Sequence, residues 1–350
     1  MTDLTFTNQK EIRVAALQRS GHHAIIHWIV AQIKAAQQKA IHINNVRPGR
    51  NPFLVQGHQS KNAAFYISKD ASIDWASEGK GRLTPKETLI YSYEDCWLDE
   101  ITGSKWESQI TQWVGPSHRR YNVLILRDPF NWFASRLRRG GPNSWQSSNV
   151  STSSTRLGRS HDQQLWIQYA REFLGETRYL AKSPLVPINF NRWFEDASYR
   201  RHIAQKLDIP FTDAGFQKQA SLSSFDGSEL AAGAQRMQVL RRWSGYSGNS
   251  FYRDFFRSPV RELAQSIFGR PPLADAWFPS GNACSAFPRW LLRWGARWHF
   301  AVFALHLQID SRLGSAGRWL KKSYPRFFAQ SRRVLTQSGY RPPTRTGTRD

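Results

Sequence analysis

A short apolar segment that runs into an Arg-Ser-Gly loop and then a helix restricts the fold of this chain most. Residues 13–17 (RVAAL) predict a buried strand, and residues 24–36 (AIIHWIVAQIKAA) carry apolar side chains at helical spacing. The loop between them gathers backbone N–H groups at the positive end of the helix dipole, where anions bind. Gly21 allows close approach to the backbone, Ser20 adds a hydroxyl and Arg19 a charge. The segment predicts an anion site, with an ordinary strand–helix turn as the alternative.

Three further apolar runs repeat this pattern. Residues 88–93 (TLIYSY), 121–126 (YNVLIL) and, more weakly, 187–190 (PINF) predict strands, each followed by polar residues and a helical pattern. This alternation predicts an α/β fold with a central parallel sheet flanked by helices. Polar residues at the carboxyl ends of such strands gather at one crevice. The residues expected there include Glu94, Asp95 and Arg127.

Composition divides the chain into two parts. One domain is expected over residues 1–280, interrupted at about 138–160 by a Ser-, Gly- and Arg-rich segment that predicts a mobile loop. Residues 281–350 predict a basic, aromatic, helical extension with a disordered tail. Its arginines and tryptophans recur at four-residue spacing and form adjoining stripes on a helix. Residues 285–330 are therefore a candidate for peripheral membrane contact, with packing on the core or on a partner as the alternative.

The charge of the chain is strongly positive. Lys and Arg number 49 against 26 Asp and Glu, a formal net charge of +23, so the partners should be anionic. Two cysteines, Cys96 and Cys284, are too few for a disulfide framework, and the N-terminus lacks the apolar core of a secretory signal. The longest apolar run, residues 298–309, is too short to cross a bilayer. These features predict a cytoplasmic protein that could also lie on the inner membrane face.

Two other chemistries are less well supported by the motifs. No stretch matches G-x-x-x-x-G-K-[ST], the phosphate loop of nucleoside triphosphatases, which disfavours a kinase or an ATPase. His23 and His27 have the i, i+4 spacing of a zinc-binding helix, but HAIIH lacks the Glu of H-E-x-x-H and no third ligand is evident. No metal is therefore expected. His22 and His23 are instead expected to donate hydrogen bonds to phosphate.

Two motifs together resemble those of the sulfotransferases that use 3′-phosphoadenosine 5′-phosphosulfate (PAPS). The family's phosphate loop reads approximately T-Y-P-K-S-G-T-T-W, and this chain has A-L-Q-R-S-G-H-H-A. The resemblance places Arg19 at the family's catalytic Lys, matches Ser20 and Gly21, and puts His22 and His23 at the two Thr that bind the 5′-phosphate. It implies a P-loop NTPase-like sulfotransferase fold with PAPS as co-substrate.

The second motif is an Arg-x-Pro after a strand, with a Ser eight positions beyond the Arg. This chain has R-D-P-F-N-W-F-A-S, so the resemblance assigns Arg127 and Ser135 to the 3′-phosphate. An ion pair of Arg127 with Asp128 is the alternative. Further likenesses are weaker, and they add Ser224, Phe225, Arg241 and Arg242 to the candidate PAPS-binding residues. Phe190 or Trp193 could stack on adenine or belong to the core.

The resemblance also directs attention to a catalytic base after the strand at 88–93. Glu94 is the preferred candidate and Asp95 the second, while Arg19 would stabilise the leaving phosphate without protonating it. The acceptor would be a hydroxyl or amine, with an acidic polysaccharide or glycolipid favoured by the charge. The rival functions are a basic nucleic-acid-binding protein and a nucleotide-dependent kinase without a standard phosphate loop. Specific nucleic-acid binding is not expected.

Overall fold

The strands that the structure describes form one parallel sheet. The computed structural model describes residues 6–57, 73–139, 156–216 and 239–269. In these segments the strands are β1 (Asn8–Ala16), β2 (Ala40–Ile43), β3 (Lys86–Glu94), β4 (Ser117–Leu126) and β5 (Leu185–Asn189). They pair in the order β2-β3-β1-β4-β5, every pair parallel. The predicted α/β class, a central parallel sheet flanked by helices, is confirmed.

Helices connect the strands and cover the sheet. Two 3₁₀ turns, Arg242–Tyr246 and Asp254–Phe256, lie in the last described segment. The α-helices are α1 (His22–Ala35), α2 (Pro52–Gly57), α3 (Trp75–Gly79), α4 (Leu98–Thr102), α5 (Ser104–Val114), α6 (Pro129–Arg139), α7 (Arg156–Phe173), α8 (Phe190–Glu195), α9 (Ala197–Lys206), α10 (Ser250–Arg253) and α11 (Val260–Phe268).

The central strand β1 is longer than its apolar core. It begins at Asn8 rather than Arg13 because buried polar side chains at its start have partners. Glu11 accepts a hydrogen bond from Tyr91 Oη at 2.5 Å and pairs with Arg120 Nε at 2.9 Å. Farther along, alternate side chains of β1 pack with α1 and α9 in one apolar cluster. The strand β2 has only four residues, too few to show a pattern in the sequence.

Two of the predicted elements differ from the structure. The helical pattern at 191–208 is divided because Asp196 ends α8 and caps α9, where its carboxylate accepts from the backbone of Ser198 and Tyr199. Residues 156–160 of the predicted loop are instead helical and open α7. Residues 140–155 and the predicted extension at 281–350 lie outside the described part of the chain. No helix within that part is both long and apolar enough to cross a membrane.

The register of the sheet brings three polar segments to one edge. Ala16, the last residue of β1, pairs with Glu94 of β3 on one side and Ile125 of β4 on the other. From β1 the chain continues toward β2, whereas from β4 it continues toward β5 on the opposite side. Open parallel sheets bind ligands at such a switch point, beyond the carboxyl ends of the strands. The crevice between the ends of β1 and β4 is therefore the candidate site.

Candidate functional site

The loop after β1 turns sharply before α1 begins. Ser20 N donates to Leu17 O at 3.0 Å, and both Arg19 (φ 73°) and Gly21 (φ 86°) have left-handed backbone conformations. A Cβ at position 21 would lie 2.2 Å from Cε2 of Phe190, so glycine is required there for space as well as conformation. The predicted strand, tight loop and helix are observed as such. Ala24 N and Ile25 N both donate to Gly21 O, at 3.0 and 3.4 Å, so α1 begins directly at the loop.

Three arginines and a serine meet beside this loop. Ser135 Oγ on α6 accepts hydrogen bonds from Arg19 Nε at 3.2 Å and from Arg242 Nη1 at 3.0 Å. Arg127 Nη1, at the end of β4, donates to the carbonyl of Arg19 at 3.3 Å. These four residues are called the arginine group below. Their association concentrates positive charge at the switch point of the sheet.

Arg127 is almost completely buried in this group. Its guanidinium lies 4.9 Å from the centre of the Phe190 ring and donates to the carbonyl of Val239. Burial lowers the pKa of Arg127 to about 10, against the opposing charge of Asp128, so the side chain remains charged at neutral pH. Nε is buried without a hydrogen-bond partner, and no carboxylate within the described segments forms an ion pair with Arg127. The alternative of an Arg127–Asp128 ion pair is therefore not observed.

An asparagine that the sequence did not single out positions Arg242. Asn131 Oδ1 accepts from the backbone N of Arg242 at 2.7 Å, and Asn131 Nδ2 donates to Leu240 O at 3.1 Å. Asp128 in turn accepts from the amide and side chain of Asn131. The segment before the 3₁₀ turn is thereby fixed on α6, which brings Arg242 to Ser135. Arg241, by contrast, is exposed and uses its carbonyl to accept from Ser244.

The other candidates for PAPS binding divide between the core and the undescribed residues. Phe190 and Trp193 are both buried, 4% and 1% exposed, and pack in the apolar cluster beneath the loop. Their position is that of core aromatics rather than of an open stacking surface. Ser224 and Phe225 lie in residues 217–238, outside the described part of the chain.

Two histidines and a glutamate form a second cluster at the other side of the loop. Glu94 Oε1 lies 3.1 Å from His22 Nε2 and 3.4 Å from His23 Nε2. The centroids of the two imidazole rings are 4.0 Å apart. His22 and Glu94 are buried, and His23 is partly exposed. These three residues are called the histidine group below, and their ring nitrogens and carboxylate are also atoms of the kind that bind metals.

The protonation states of the buried pair follow from its surroundings. Burial lowers the pKa of His22, and a charge on His23 would lower it further. Burial by itself would raise the pKa of Glu94, but His22 and His23 hold it well below its usual range. The arrangement is therefore a carboxylate that accepts hydrogen bonds from imidazole N–H groups. His22 Nδ1 is left buried without a partner in the described segments.

Asp95 fixes the loop through an arginine that sequence reasoning missed. Its Oδ1 accepts from Gln18 N at 2.8 Å, and both of its oxygens lie 3.0 Å from Arg136 Nη1. Arg136 also binds Asp162 of α7 through two hydrogen bonds of 2.8 and 2.9 Å. Burial works against the charge of Arg136, but Asp162 and Asp95 hold its pKa above its usual value. These contacts favour a structural task for Asp95, and its candidacy as the base stays a prediction.

Comparisons with known proteins give limited information. No protein-family model matches the chain, and no curated protein matches its sequence. The sulfotransferase domain of the Synechococcus PCC 7002 olefin synthase is similar at a TM-score of 0.40 and 11% identity, over 78% of this chain and 99% of that domain. A sulfotransferase domain from the curacin biosynthetic pathway is similar at a TM-score of 0.38 and 11% identity, over 75% and 98%. At these values the similarity carries no functional argument.

Proposed function

We propose that the protein transfers a sulfuryl group from PAPS to a hydroxyl or amine of an acceptor. The observation that carries this proposal is the arginine group at the switch point of the sheet, beside a strand–loop–helix anion site. A donor with phosphate at both its 3′ and 5′ positions needs two anion sites a nucleoside apart. The arginine group and the loop, which are joined through Arg19, support this proposal as two neighbouring groups of anion-binding atoms.

The residues present suit the two ends of this donor. Arg127, Ser135 and Arg242 offer charged and hydroxyl donors to the 3′-phosphate, and the guanidinium can bind phosphate through two hydrogen bonds. The phosphosulfate would lie against the first amides of α1. There the hydroxyl of Ser20 is buried and has no hydrogen-bond partner in the described segments, so it is available to donate to a phosphate oxygen.

Arg19 has a different place from the one its alignment with the family's lysine implies. Its side chain reaches Ser135, so we assign its charge in the first instance to the 3′-phosphate. For a direct role at the leaving 5′-phosphate, the Arg19 side chain would have to break its hydrogen bond to Ser135 and bind the donor instead. In either position a guanidinium supplies charge and hydrogen bonds, and does not supply a proton.

The proposed reaction is an in-line displacement at sulfur. The acceptor oxygen or nitrogen forms a bond to sulfur while the bond from sulfur to the 5′-phosphate oxygen breaks and its electron pair stays on the phosphate. The acceptor proton passes to Glu94, which lies at the end of β3 beside the loop. His22 and His23 orient that carboxylate. The amides of α1 meet the negative charge that develops on the leaving group.

The nature of the acceptor and the cellular setting are proposed from the sequence. A net charge of +23 favours an acidic polysaccharide or a glycolipid as acceptor, because such surfaces attract a cationic protein. A cytoplasmic location, with residues 285–330 on the inner membrane face, is part of the same proposal.

A transfer assay tests the proposed function. Radiolabelled PAPS is incubated with the protein and a cellular extract, and a labelled product would establish the activity and identify the acceptor class. A matched pair of variants, Arg127→Ala in the arginine group and Arg257→Ala at an exposed surface ion pair, shows whether the site is responsible. Label transfer that disappears only in Arg127→Ala supports the proposal. Magnesium-dependent turnover of ATP, or tight salt-sensitive binding of DNA or RNA without transfer, would favour a rival function.

A further inference from the structure

The histidine group brings three potential metal-binding atoms close together. Glu94 Oε1 is 3.1 Å from His22 Nε2 and 3.4 Å from His23 Nε2, and all three atoms lie within 4.8 Å of one another. Ligands at the usual zinc bond lengths of about 2.0–2.1 Å stand about 3.3 Å apart in a tetrahedron. Both nitrogens converge on one carboxylate oxygen, which leaves a common centre between the three atoms. We propose that His22, His23 and Glu94 bind a divalent transition-metal ion of the zinc class.

The sequence predicts no metal because no third ligand is evident, and the fold removes that reason. The helical spacing of His23 and His27 suggested a pair of ligands without a third. In the structure His23 is joined instead by its neighbour His22 and by Glu94, which is brought from β3 by the pairing of Ala16 with Glu94. Two imidazoles and one carboxylate, with a fourth position open, form a ligand set that zinc adopts in catalytic sites.

A neighbouring oxygen completes the surroundings of the site. Asn44 Oδ1 lies 3.1 Å from His23 Nε2 and accepts a hydrogen bond from Ser92 Oγ at 3.0 Å, which turns its oxygen toward the imidazoles. Arg47 Nη1 donates to the backbone carbonyl of Glu94 at 2.6 Å and fixes that residue from behind. Supporting hydrogen bonds of this kind orient metal ligands. Asn44 or a solvent molecule can therefore take the fourth position.

The chemistry of the ligands selects the class of ion. Imidazole nitrogen suits Zn²⁺, Co²⁺, Ni²⁺ and Cu²⁺, whereas Mg²⁺ and Ca²⁺ prefer oxygen ligands. The positive end of the α1 dipole opposes a cation weakly, and this effect falls off within the first turn. The task of the ion rests on the proposed function. With Glu94 as a ligand, the ion would replace it as the means of activating a hydroxyl acceptor: it would lower the pKa of the bound hydroxyl, whose proton would then pass to solvent rather than to Glu94.

Metal binding can be tested without any transfer assay. The full-length protein, free of any histidine tag and stripped with a chelator, is titrated with Co²⁺, and the visible absorption of four-coordinate cobalt is followed. Zn²⁺ is then added in competition to obtain its affinity. We expect one Co²⁺ per chain, displaced by Zn²⁺. A wild-type protein that shows no four-coordinate cobalt would overturn the proposal.

Three variants assign the bound ion to the histidine group. His23→Ala removes a partly exposed ligand, so it should fold normally and weaken Zn²⁺ binding at least about 100-fold, as should Glu94→Gln. His27→Ala, one turn farther along α1, is the matched control and should bind as the wild type does. Undiminished binding by His23→Ala would overturn the proposal. Binding of Co²⁺ by a protein that never transfers label from PAPS would leave the metal site standing and count against the proposed function alone.

Discussion

The two ends of the loop between β1 and α1 differ in charge and in how they are built. The arginine group joins residues from the loop, the end of β4, α6 and the start of the 3₁₀ turn Arg242–Tyr246, and it is cationic. The histidine group joins two adjacent residues of α1 to one residue of β3 and is anchored on a carboxylate. One end is therefore suited to holding an anion and the other to handling a proton or a cation. Under the proposed function, this difference is the reason to assign donor binding to the first group and acceptor activation to the second.

The largest expected effect separates these two tasks at Glu94. Glu94→Gln keeps the size of the side chain but removes its charge, so the transfer rate at saturating PAPS should fall by about 10²–10⁴. Affinity for 3′,5′-bisphosphoadenosine, measured by calorimetry, should change little. Glu87→Gln, which lies exposed on the same strand, is the control. A variant at Glu94 that retains its rate would remove the histidine group from the reaction.

At Arg127 the main effect is expected on nucleotide affinity, which Glu94→Gln should leave nearly unchanged. Two charge-assisted hydrogen bonds of about 1.5–3 kcal/mol each would be lost in Arg127→Ala, so affinity for 3′,5′-bisphosphoadenosine should fall at least about 100-fold. Arg127→Lys keeps the charge but loses the paired N–H donors of the guanidinium, so it should bind more tightly than Arg127→Ala but less tightly than the wild type. Arg257→Ala serves as the control for a lost surface charge. Equal affinities in Arg127→Ala and the wild type would break the assignment of the arginine group.

A smaller effect is expected at Asp162, which supports the loop between the arginine group and the histidine group through Arg136. Asp162→Asn weakens the hold of Arg136 on the loop, so donor affinity and transfer rate should both fall, each by roughly tenfold. The free energy of unfolding should also fall, by about 3 kcal/mol, because a buried ion pair is broken. Asp208→Asn, at an exposed ion pair with Arg119, should cost at most about 1 kcal/mol in denaturant titrations. If Asp162→Asn lowered only the donor affinity or only the transfer rate, the loop would not support both groups.

The smallest effect is expected at Ser135. Its hydroxyl offers one uncharged hydrogen bond of about 0.5–1.5 kcal/mol, so Ser135→Ala should weaken 3′,5′-bisphosphoadenosine binding by no more than about tenfold. Calorimetry beside Ser198→Ala, which alters an exposed serine, measures this change. A loss as large as that of Arg127→Ala would mean that Ser135 mainly positions Arg19 and Arg242.

The sequence was sufficient for features set by local spacing. The carboxyl ends of the strands, the sharp loop before α1, and the positions of Arg127 after β4 and of Ser135 on α6 all follow from patterns within about ten residues. The division at Asp196 and the helix that opens at 156 were missed because capping and packing, rather than apolar periodicity, decide them. The four-residue β2 was missed because it is too short for a pattern.

Features that depend on long-range contact could be found only in the structure. Arg242 reaches Ser135 across more than a hundred residues, and it is chosen over Arg241 because Asn131 fixes its backbone. The meeting of His22 with Glu94 depends on the register between β1 and β3. The bridge that Arg136 forms between Asp95 and Asp162 depends on α7, which follows an undescribed segment.

The central claim is that the arginine group recognises a 3′-phosphate, and calorimetric titration with two nucleotides tests it most directly. 3′,5′-Bisphosphoadenosine and adenosine 5′-monophosphate differ only in that phosphate, so the same protein reports its contribution. We expect the bisphosphate to bind at least about 100-fold more tightly, because it gains charge-assisted hydrogen bonds from the arginine group. Equal affinities for the two nucleotides would contradict it.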